Sequence, residues 1–416
     1  MPDYLAITNI AELVQVPRGP IGGRVMRHVE RIPDAAILIE DGRIAWFGPE
    51  TQPPAPNGCK RFDAGGGCVV PGLIDCHTHS VFAGTREHEF VQRINGQSYA
   101  EIAESGGGIR KTVDDVRAAS REQLVELAMP RLNRMLNNGV TTVEIKSGYG
   151  LSVEAELKML EAVRELGSRQ PMETVGTYLA AHTTPREFAQ RPDEYLNTVF
   201  AEPVLRRIRD EQLAEFCDVF CERTAFSLDH SRRVLEAAKR VGLQAKVHAD
   251  QITQMGASAL AGELGAISAD HLERIDDRGI AAMKAAGTVA VLLPACSFFL
   301  GVEQAPAKRL LEADLPVAVA TDFNPGSSMV ESLPLTMTIA CTQMRMTPVE
   351  VLVAATANAA VAIGRSDRIG AIEIGYQADL VVLDVPNLER WMYEPGRNCV
   401  RAVIKRGRVV VDRREN

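Results

Sequence analysis

The chain has 416 residues, of which 46% are hydrophobic and 24% are charged, and its formal net charge is −8 at pH 7. This length allows a barrel of about 250 residues together with a second, smaller domain. Acidic and basic residues are mixed along the chain, which argues against a nucleic-acid groove and against a polybasic membrane surface.

The first residues, Met1-Pro2-Asp3-Tyr4, lack the basic and apolar parts of a signal peptide. No apolar run approaches the roughly 20 residues of a membrane span. Because the eight cysteines are scattered, we expect reduced thiols in a cytoplasmic protein rather than a disulfide framework. Cys217 and Cys221 share one face of a predicted strand, and we expect both of them in the core.

Both ends of the chain have the pattern of short strands. Asp41-Gly42 separates two apolar runs and predicts a hairpin. Near the other end, Ala378–Val385 and Val400–Asp412 are strand-like, with a turn at Arg406-Gly407. We therefore predict a small β-sandwich domain built from residues 1–65 and 372–416.

Residues 66–371 alternate short apolar strands with helical segments, which is typical of parallel βα units. The predicted strands are Leu73–Cys76, Thr141–Ile145, Thr174–Ala180, Cys217–Cys221, Leu243–Val247, Ala266–Ala269, Thr288–Leu293 and Pro316–Ala320. The predicted helices between them include Val113–Asn138, Ser152–Gly167, Leu228–Val241 and Asp276–Ala286. Eight such units predict an α/β fold, a TIM (β/α)8 barrel over residues 66–371.

Polar residues follow the predicted strands, and in a TIM barrel these C-terminal strand ends form the active-site face. Six of the eight histidines lie at or near such ends, at positions 77, 79, 88, 182, 248 and 271. The other polar residues there include Glu144, Lys146, Tyr149, Glu222, Cys296, Ser297 and Asp322. Random placement would scatter the histidines over helices, so this regularity predicts an active site.

The spacing of His77 and His79 indicates a metal site. The two are two residues apart, so both imidazoles project from one face of an extended strand. We predict that they hold one zinc or iron ion together with His248 and Asp322, since three imidazoles and one carboxylate leave a position for water. The metal would lower the pKa of that water from about 15.7 towards about 7.

Two further residues at strand ends leave alternatives open. His271 is either a fifth ligand or a proton carrier beside the water. Lys146, in Glu-Ile-Lys-Ser-Gly-Tyr-Gly, is either carbamylated and bridges two metals or is unmodified and held by neighbouring acids. We favour the unmodified lysine and a single metal.

The glycine-rich stretch Ser105-Gly106-Gly107-Gly108-Ile109-Arg110-Lys111-Thr112 lacks the glycine directly before lysine that a phosphate-binding P-loop needs. We interpret it as a flexible lid over the barrel mouth, since three glycines resist a fixed conformation. No Gly-x-Gly-x-x-Gly follows a strand directly, so a dinucleotide site is not supported.

Several motifs resemble a known family. Pro-Gly-Leu-Ile-Asp-Cys-His-Thr-His, the late strand-end histidines and the final aspartate resemble the metal-dependent amidohydrolase superfamily. The stretches Val81–Arg86, Gly106–Ile109, Thr141–Gly150, Asp218–Glu222 and Asp322–Ser327 resemble the imidazolonepropionase family over nearly the whole chain.

This resemblance implies hydrolytic ring opening of 4-imidazolone-5-propanoate to N-formimino-L-glutamate in histidine degradation, with one Zn²⁺, Fe²⁺ or Fe³⁺ per subunit. It implies the ligand set His77, His79, His248 and Asp322, whereas the catalytic roles of His271 and Asp322 are our own inference from the residues. It implies that the substrate is bound by Arg86, Tyr149, His182, Asn324, Gly326 and Ser327. A guanidinium can grip the propionate with two parallel hydrogen bonds. We also expect a homodimer.

Gln251 departs from part of the family, in which a glutamate stands three residues after the third metal histidine. An amide cannot act as a carboxylate base. We predict that Gln251, one helical turn beyond His248, hydrogen-bonds the substrate ring, and that the base is Asp322 or His271.

Two alternative functions remain at this point. One is a related amidohydrolase that releases ammonia, such as a formiminoglutamate or nucleobase deaminase. The other is a catalytically inactive barrel that serves as a binding protein, against which the intact ligand set argues.

Overall fold

The computed structural model describes residues 2–51, 55–97, 101 and 107–414. The strands are β1 Tyr4–Gln15, β2 Glu30–Glu40, β3 Arg43–Pro49, β4 Lys60–Pro71, β5 Leu73–Thr78, β6 Val140–Lys146, β7 Glu173–Ala181, β8 Phe216–Cys221, β9 Gln244–Ala249, β10 Ser268–His271, β11 Val289–Leu292, β12 Val317–Val319, β13 Leu380–Leu383, β14 Val400–Lys405 and β15 Arg408–Asp412.

The helices of the described residues alternate with the middle strands. They are α1 Glu87–Ile94, α2 Ile109–Ala118, α3 Arg121–Asn137, α4 Val153–Arg169, α5 Pro192–Val199, α6 Glu202–Asp210, α7 Leu228–Arg240, α8 Ala257–Glu263, α9 Asp277–Ala286, α10 Pro294–Leu300, α11 Ala307–Glu312, α12 Leu333–Gln343, α13 Pro348–Ala354, α14 Ala357–Ala362 and α15 Leu388–Tyr393. Short 3-10 turns lie at Gly23–Arg27 and Arg186–Phe188.

Strands from both chain ends form one mixed sheet in the order β15-β14-β13-β4-β1-β2-β3. β2 and β3 pair antiparallel around Asp41-Gly42, and β14 and β15 pair antiparallel around Arg406-Gly407, as the turn signals predict. Side chains from both halves share one core, including Ile7, Ile37 and Ile404. The composite β domain is therefore confirmed, as a single continuous sheet; its predicted bounds stay a prediction.

The second sheet is the barrel. Its eight strands run β5 to β12 in sequence order, and each neighbouring pair is parallel. The circle closes just beyond the last strand, where the amide of Asp322 donates to the carbonyl of His77 at 3.1 Å and the amide of His79 donates to the carbonyl of Phe323 at 2.9 Å. The predicted TIM barrel is confirmed, and its closure brings the first and last strand ends together.

Each of the eight predicted barrel strands overlaps an observed one, but one predicted helix is wrong. The stretch Val113–Asn138 forms two helices, α2 and α3, rather than one. Ser120 breaks it because its side chain accepts a hydrogen bond from the amide of Gln123, and the side-chain oxygen of Gln123 in turn accepts one from the Ser120 amide. This capping box starts a new helix.

Three further sequence expectations concern whole-chain properties. All eight cysteines lie in the described ranges and all are free thiols, with Cys217 and Cys221 buried in the core as predicted. Among the helices that the structure describes, none is long and apolar enough to cross a membrane. The predicted lid lies partly outside the described residues, at 105 and 106, whereas Ile109 begins α2 and lines the pocket described below.

Candidate metal-dependent active site

A pocket opens at the C-terminal ends of the barrel strands. It is lined by His79, Arg86, Ile109, Tyr149, His182, Phe220, His248, Gln251, His271, Asp322, Asn324, Gly326 and Ser327. The structure thus brings together all seven residues predicted to contact substrate and both predicted catalytic residues. His77, the remaining predicted ligand, is fully buried, with its ring 5.4 Å from that of His79 and 4.6 Å from that of His248.

The four predicted ligands lie close together in two overlapping groups that share His77. One ligand nitrogen from each of His77, His79 and His248 lies within 4.8 Å of the others, and the same distance limit holds for one nitrogen each of His77 and His271 and a carboxylate oxygen of Asp322. Oδ1 of Asp322 lies 3.4 Å from Nε2 of His77 and 3.5 Å from Nε2 of His79. Ligand bonds of about 2.1 Å in a tetrahedron give edges of about 3.4 Å, so these separations fit a common zinc-sized ion.

The unsatisfied histidine nitrogens of this cluster also indicate a metal site. Within the described part of the chain, the buried Nε2 atoms of His77 and His248 have no hydrogen-bond partner. Buried polar atoms are seldom left unsatisfied without a reason, and a bound ion is one such reason. The residues present therefore fit a metal, and His271 is close enough to be a fifth ligand or a neighbour of the ion.

Charged neighbours set the ionisation of the cluster. Burial opposes ionisation of Asp322, but His77 and His79 hold the pKa of its carboxyl well below the usual range. Burial lowers the pKa of His248 to about 4, although Asp218 opposes this shift. Burial and Lys146 also oppose charge on His77, yet Asp270 and Asp322 raise the pKa of its imidazole to about 9. A cation is thus favoured beside His77, either a proton or a metal ion.

Two of the cluster residues have unusual backbone geometry. His271 has φ 81° and Asp322 has φ 52°, in the left-handed region that residues other than glycine rarely adopt. Such strain persists only where the surroundings impose it, and it concentrates at functional sites. Here it turns the chain sharply at the ends of β10 and β12 and directs both side chains into the pocket.

Arg86 provides a buried guanidinium at the pocket wall. Its Nε donates to Oε2 of Glu89 at 2.8 Å, and the side chains of both residues are at most 6% exposed. The other carboxylate oxygen of Glu89 accepts from the amide of Gly108 at 2.8 Å. Sequence reasoning missed Glu89, which fixes the orientation of Arg86 from one helical turn further along α1.

Aromatic and imidazole rings form a second wall. The rings of His79 and His182 stack at 5.2 Å with an interplanar angle of 18°, and Tyr149 lies 5.5 Å from His182. Burial holds the pKa of His182 well below its usual range, so this imidazole is neutral. Its Nδ1 lies 3.1 Å from the carbonyl oxygen of Gly148 and must donate to it, which leaves Nε2 as an acceptor.

Gln251 lies in the pocket, but not for the reason predicted. His248 is on strand β9, and Gln251 follows in a bend rather than one helical turn on, so the predicted helical spacing is wrong. Buried acids shape this bend. Oε2 of Glu222 accepts from the amides of Ile252 and Thr253 at 3.0 Å, and Asp250 accepts from the amides of residues 255 to 258 at 2.9–3.1 Å.

The loop after β12 is organised by Asn324. Its Oδ1 accepts from the amides of Gly326 and Ser327 at 2.8 Å, and its Nδ2 donates to Oγ of Ser327 at 2.8 Å. The same amide group donates to the carbonyl of Asp322 at 2.6 Å. The predicted contacts Asn324, Gly326 and Ser327 are therefore parts of one turn that follows the predicted ligand Asp322.

A layer of charged residues lies behind the ligands. Nδ1 of His77 lies 2.6 Å from Oδ2 of Asp270, and Nδ1 of His248 lies 3.0 Å from Oδ2 of Asp218. Lys146 is fully buried and held by neighbouring acids, as the favoured interpretation states. Sequence reasoning did not assign Asp218 or Asp270, although a lone aspartate in an apolar strand is a signal for such a role.

The chain is similar to known proteins over nearly its whole length. Residues 68–410 match the amidohydrolase family. The chain is 47% identical over 403 residues to an imidazolonepropionase of Caldanaerobacter subterraneus subsp. tengcongensis, covering 96% of each chain, and 47% identical over 403 residues to one of Geobacillus kaustophilus, covering 94% of each. The solved structure of E. coli guanine deaminase matches with a TM-score of 0.74 and 16% identity, covering 99% of each chain, which shows a shared fold alone. On this identity and coverage, the chain belongs to the amidohydrolase family and, within it, to the imidazolonepropionases.

Proposed function

We propose that this protein hydrolyses 4-imidazolone-5-propanoate to N-formimino-L-glutamate. The observation that carries the proposal is that a buried guanidinium, that of Arg86, lines the same pocket as a cluster of three histidines and one aspartate. The carboxylate of this substrate can pair with the guanidinium, and its cyclic amide can be hydrolysed at the cluster. The relatives at 44–47% identity bear the name imidazolonepropionase, which supports the same assignment.

In the proposed reaction, the oxygen of water bonds to the ring carbonyl carbon, the bond from that carbon to the ring nitrogen breaks, and the nitrogen gains a proton. When bound by His77, His79, His248 and Asp322, a zinc or iron ion would polarise the carbonyl and lower the pKa of the attacking water. Asp322 or His271 takes the proton of the water. The leaving nitrogen receives its proton either from His271 or from a relay.

The remaining residues bind and orient the substrate. The guanidinium of Arg86 grips the propionate through charge-assisted hydrogen bonds, with its orientation fixed by Glu89. Neutral His182 accepts a hydrogen bond from a ring N–H through Nε2, and Tyr149 closes the same wall. Gln251 and the turn Asn324–Ser327, which line the same pocket, supply further contacts to the substrate.

The first test combines metal analysis with turnover. The purified protein should contain about one zinc or iron per chain and should convert 4-imidazolone-5-propanoate to N-formimino-L-glutamate without releasing ammonia. Ammonia release would instead identify a deaminase, and a protein without bound metal would point to an inactive binding barrel. Two metals per chain together with an intact mass increased by a carbamyl group would contradict the mononuclear site with unmodified Lys146.

Two further expectations go with this proposal. We propose a cytoplasmic protein, which the eight free thiols support because a reducing compartment keeps cysteines unpaired. We also propose a homodimer, to be tested by light scattering on the protein as it elutes from a sizing column.

A further inference from the structure

A buried group of charged side chains fills the barrel interior next to the metal ligands. Lys146 and Lys246 are both fully buried, as are the carboxylates of Glu144, Asp218 and Asp270. Nζ of Lys146 lies 2.8 Å from Glu144, 2.9 Å from Asp218 and 3.6 Å from Asp270. Because buried charges are costly unless they are paired, such a cluster in the middle of an enzyme calls for a function.

Two of these carboxylates each contact both Lys146 and a proposed metal-ligand histidine through the same oxygen atom. Oδ2 of Asp218 contacts both Nζ of Lys146 and Nδ1 of His248. Oδ2 of Asp270 contacts both Nζ of Lys146 and Nδ1 of His77. One ammonium group is therefore joined to two imidazoles through two carboxylates.

This arrangement fixes which nitrogen each histidine presents. A carboxylate at Nδ1 favours the proton on that nitrogen and leaves the lone pair on Nε2, and among the described residues neither Nε2 atom has a hydrogen-bond partner. Asp270 hydrogen-bonds Nδ1 of His77, whereas Asp218 contacts Nδ1 of His248 at ion-pair distance without hydrogen-bond geometry. Without Lys146, the buried carboxylates of Asp218 and Asp270 would lose the ammonium group that lies between them, since the ion pair of Lys246 is with Glu144. They would then separate, rotate or take up protons, and the two rings would lose their orientation.

We propose that Lys146 is a positioning residue for the metal centre: its ammonium holds the carboxylates of Asp218 and Asp270 in place and, through them, the imidazoles of His248 and His77. This inference rests on the proposed metal site. It gives the lysine a purpose that needs neither carbamylation nor a second metal, since the ammonium acts as a cation at the junction of the two acids.

A positioning role and a purely electrostatic role predict opposite results. A lysine close to a metal site repels the metal ion, so removal of its charge alone would leave metal binding unchanged or make it tighter. If instead the lysine orients the ligands through the acids, its removal weakens binding. Changes in residues that orient metal ligands typically lower metal affinity by about 10- to 100-fold.

The experiment compares zinc affinity, measured by competition with a chelator, in wild type, Lys146→Met and Lys246→Met. Lys246 is a matched control because it is equally buried and equally charged, but its ion pair is with Glu144 at 3.8 Å. We expect Lys146→Met to bind zinc about 10- to 100-fold more weakly, and Lys246→Met to stay within about threefold of wild type. The absorption spectrum of bound Co²⁺ should change in Lys146→Met alone, because the geometry of the ligands changes.

Unchanged or tighter zinc binding by folded Lys146→Met would overturn the inference, as would equal weakening by the two lysine variants. If Lys146→Met does not fold, Asp218→Asn and Asp270→Asn decide the question: each should weaken zinc binding by about 10- to 100-fold. Unchanged affinity in both would overturn the inference. A wild-type protein that binds no zinc would instead contradict the proposed function, so the two failures are distinguishable.

Discussion

Gly326 lies directly against the guanidinium of Arg86. A Cβ atom added at position 326 would fall 2.2 Å from Nη1 of Arg86, well inside the contact distance of any two atoms. The backbone of Gly326 is meanwhile fixed by the hydrogen bond from its amide to Asn324. The turn after β12 therefore forms one side of the slot that holds Arg86, and Glu89 forms another. The segment that follows the last barrel strand, which contains the proposed ligand Asp322, also helps to position the side chain proposed to grip the substrate.

We expect Gly326→Ala to raise KM by about tenfold, because the guanidinium must move away from the geometry that Glu89 imposes on it and loses part of a charge-assisted pair. Gly396→Ala is the control, since a Cβ there meets no atom within 4 Å. Steady-state kinetics of both variants test the prediction. A KM for Gly326→Ala that matches that of the control would mean that Arg86 can shift without affecting the substrate.

Removal of the guanidinium should have a larger effect. Arg86→Ala loses a charge-assisted pair with the substrate carboxylate that contributes about 1.5–3 kcal/mol, which corresponds to a KM increase of roughly 10- to 150-fold. Arg86→Lys should recover part of the loss, because an ammonium keeps the charge but not the planar two-point contact. A KM for Arg86→Ala within twofold of wild type would show that the propionate is held elsewhere.

The architecture could be predicted from the sequence because its signals are local and regular. Each barrel strand is a short apolar run that ends in a polar residue, and the order of strands in a parallel barrel follows the order in the chain. The histidines could be placed for the same reason, since strand ends of a barrel meet at one face. The break between α2 and α3 at Ser120 could also have been predicted from the sequence, because Ser120 and Gln123 have the spacing of a capping box.

The orientation of the ligands could not be predicted in the same way. Asp218 and Asp270 are single charges inside apolar strands, which indicates that they point into the barrel but not which histidine they contact. That pairing depends on the register between neighbouring strands, in which Asp270 lies beside His248 yet contacts His77 across the barrel. Gln251 shows a similar limit, because its position depends on a bend shaped by the distant Glu222.

Glu173 gives a prediction about stability rather than catalysis. This carboxylate, at the start of β7, forms ion pairs with Arg365 and Arg368, at 3.0 and 2.6 Å. Burial opposes its ionisation, but the two arginines and Lys405 lower its pKa to about 2. The pKa in the folded state is below the unfolded value of about 4.3, so the stabilisation is present in full above that value and is lost as the pH falls towards 2.

We therefore expect Glu173→Gln to reduce the free energy of unfolding by about 2–3 kcal/mol at pH 7, and by progressively less below pH 4.5. Urea denaturation of both proteins between pH 7 and pH 2.5 measures the difference. A difference that stays constant over this range would show that the loss comes from packing, not from the charge of Glu173.

The last prediction separates the base from the residues around it. His271 lies at the end of β10, with its ring 5.3 Å from that of His248 and its Nδ1 3.7 Å from Oε1 of Glu273. Gln251 lines the same pocket, and its Nε2 lies 4.0 Å from Sγ of Cys296. An amide can donate or accept a hydrogen bond but cannot take a proton near neutral pH, whereas an imidazole or a carboxylate can. Loss of a general base typically costs about 10²- to 10⁴-fold in rate.

His271→Ala should therefore lower kcat by about 10²- to 10⁴-fold while the metal stays bound. Asp322→Ala should lower kcat similarly and also weaken metal retention, because Asp322 is a proposed ligand. Gln251→Glu should remain active, since either side chain can accept the same hydrogen bond from the substrate ring. Metal content and kcat are measured on the same preparations. If Gln251→Ala abolishes turnover as completely as His271→Ala does, with metal content unchanged in both, then the amide orients something indispensable and the roles around the metal must be reassigned.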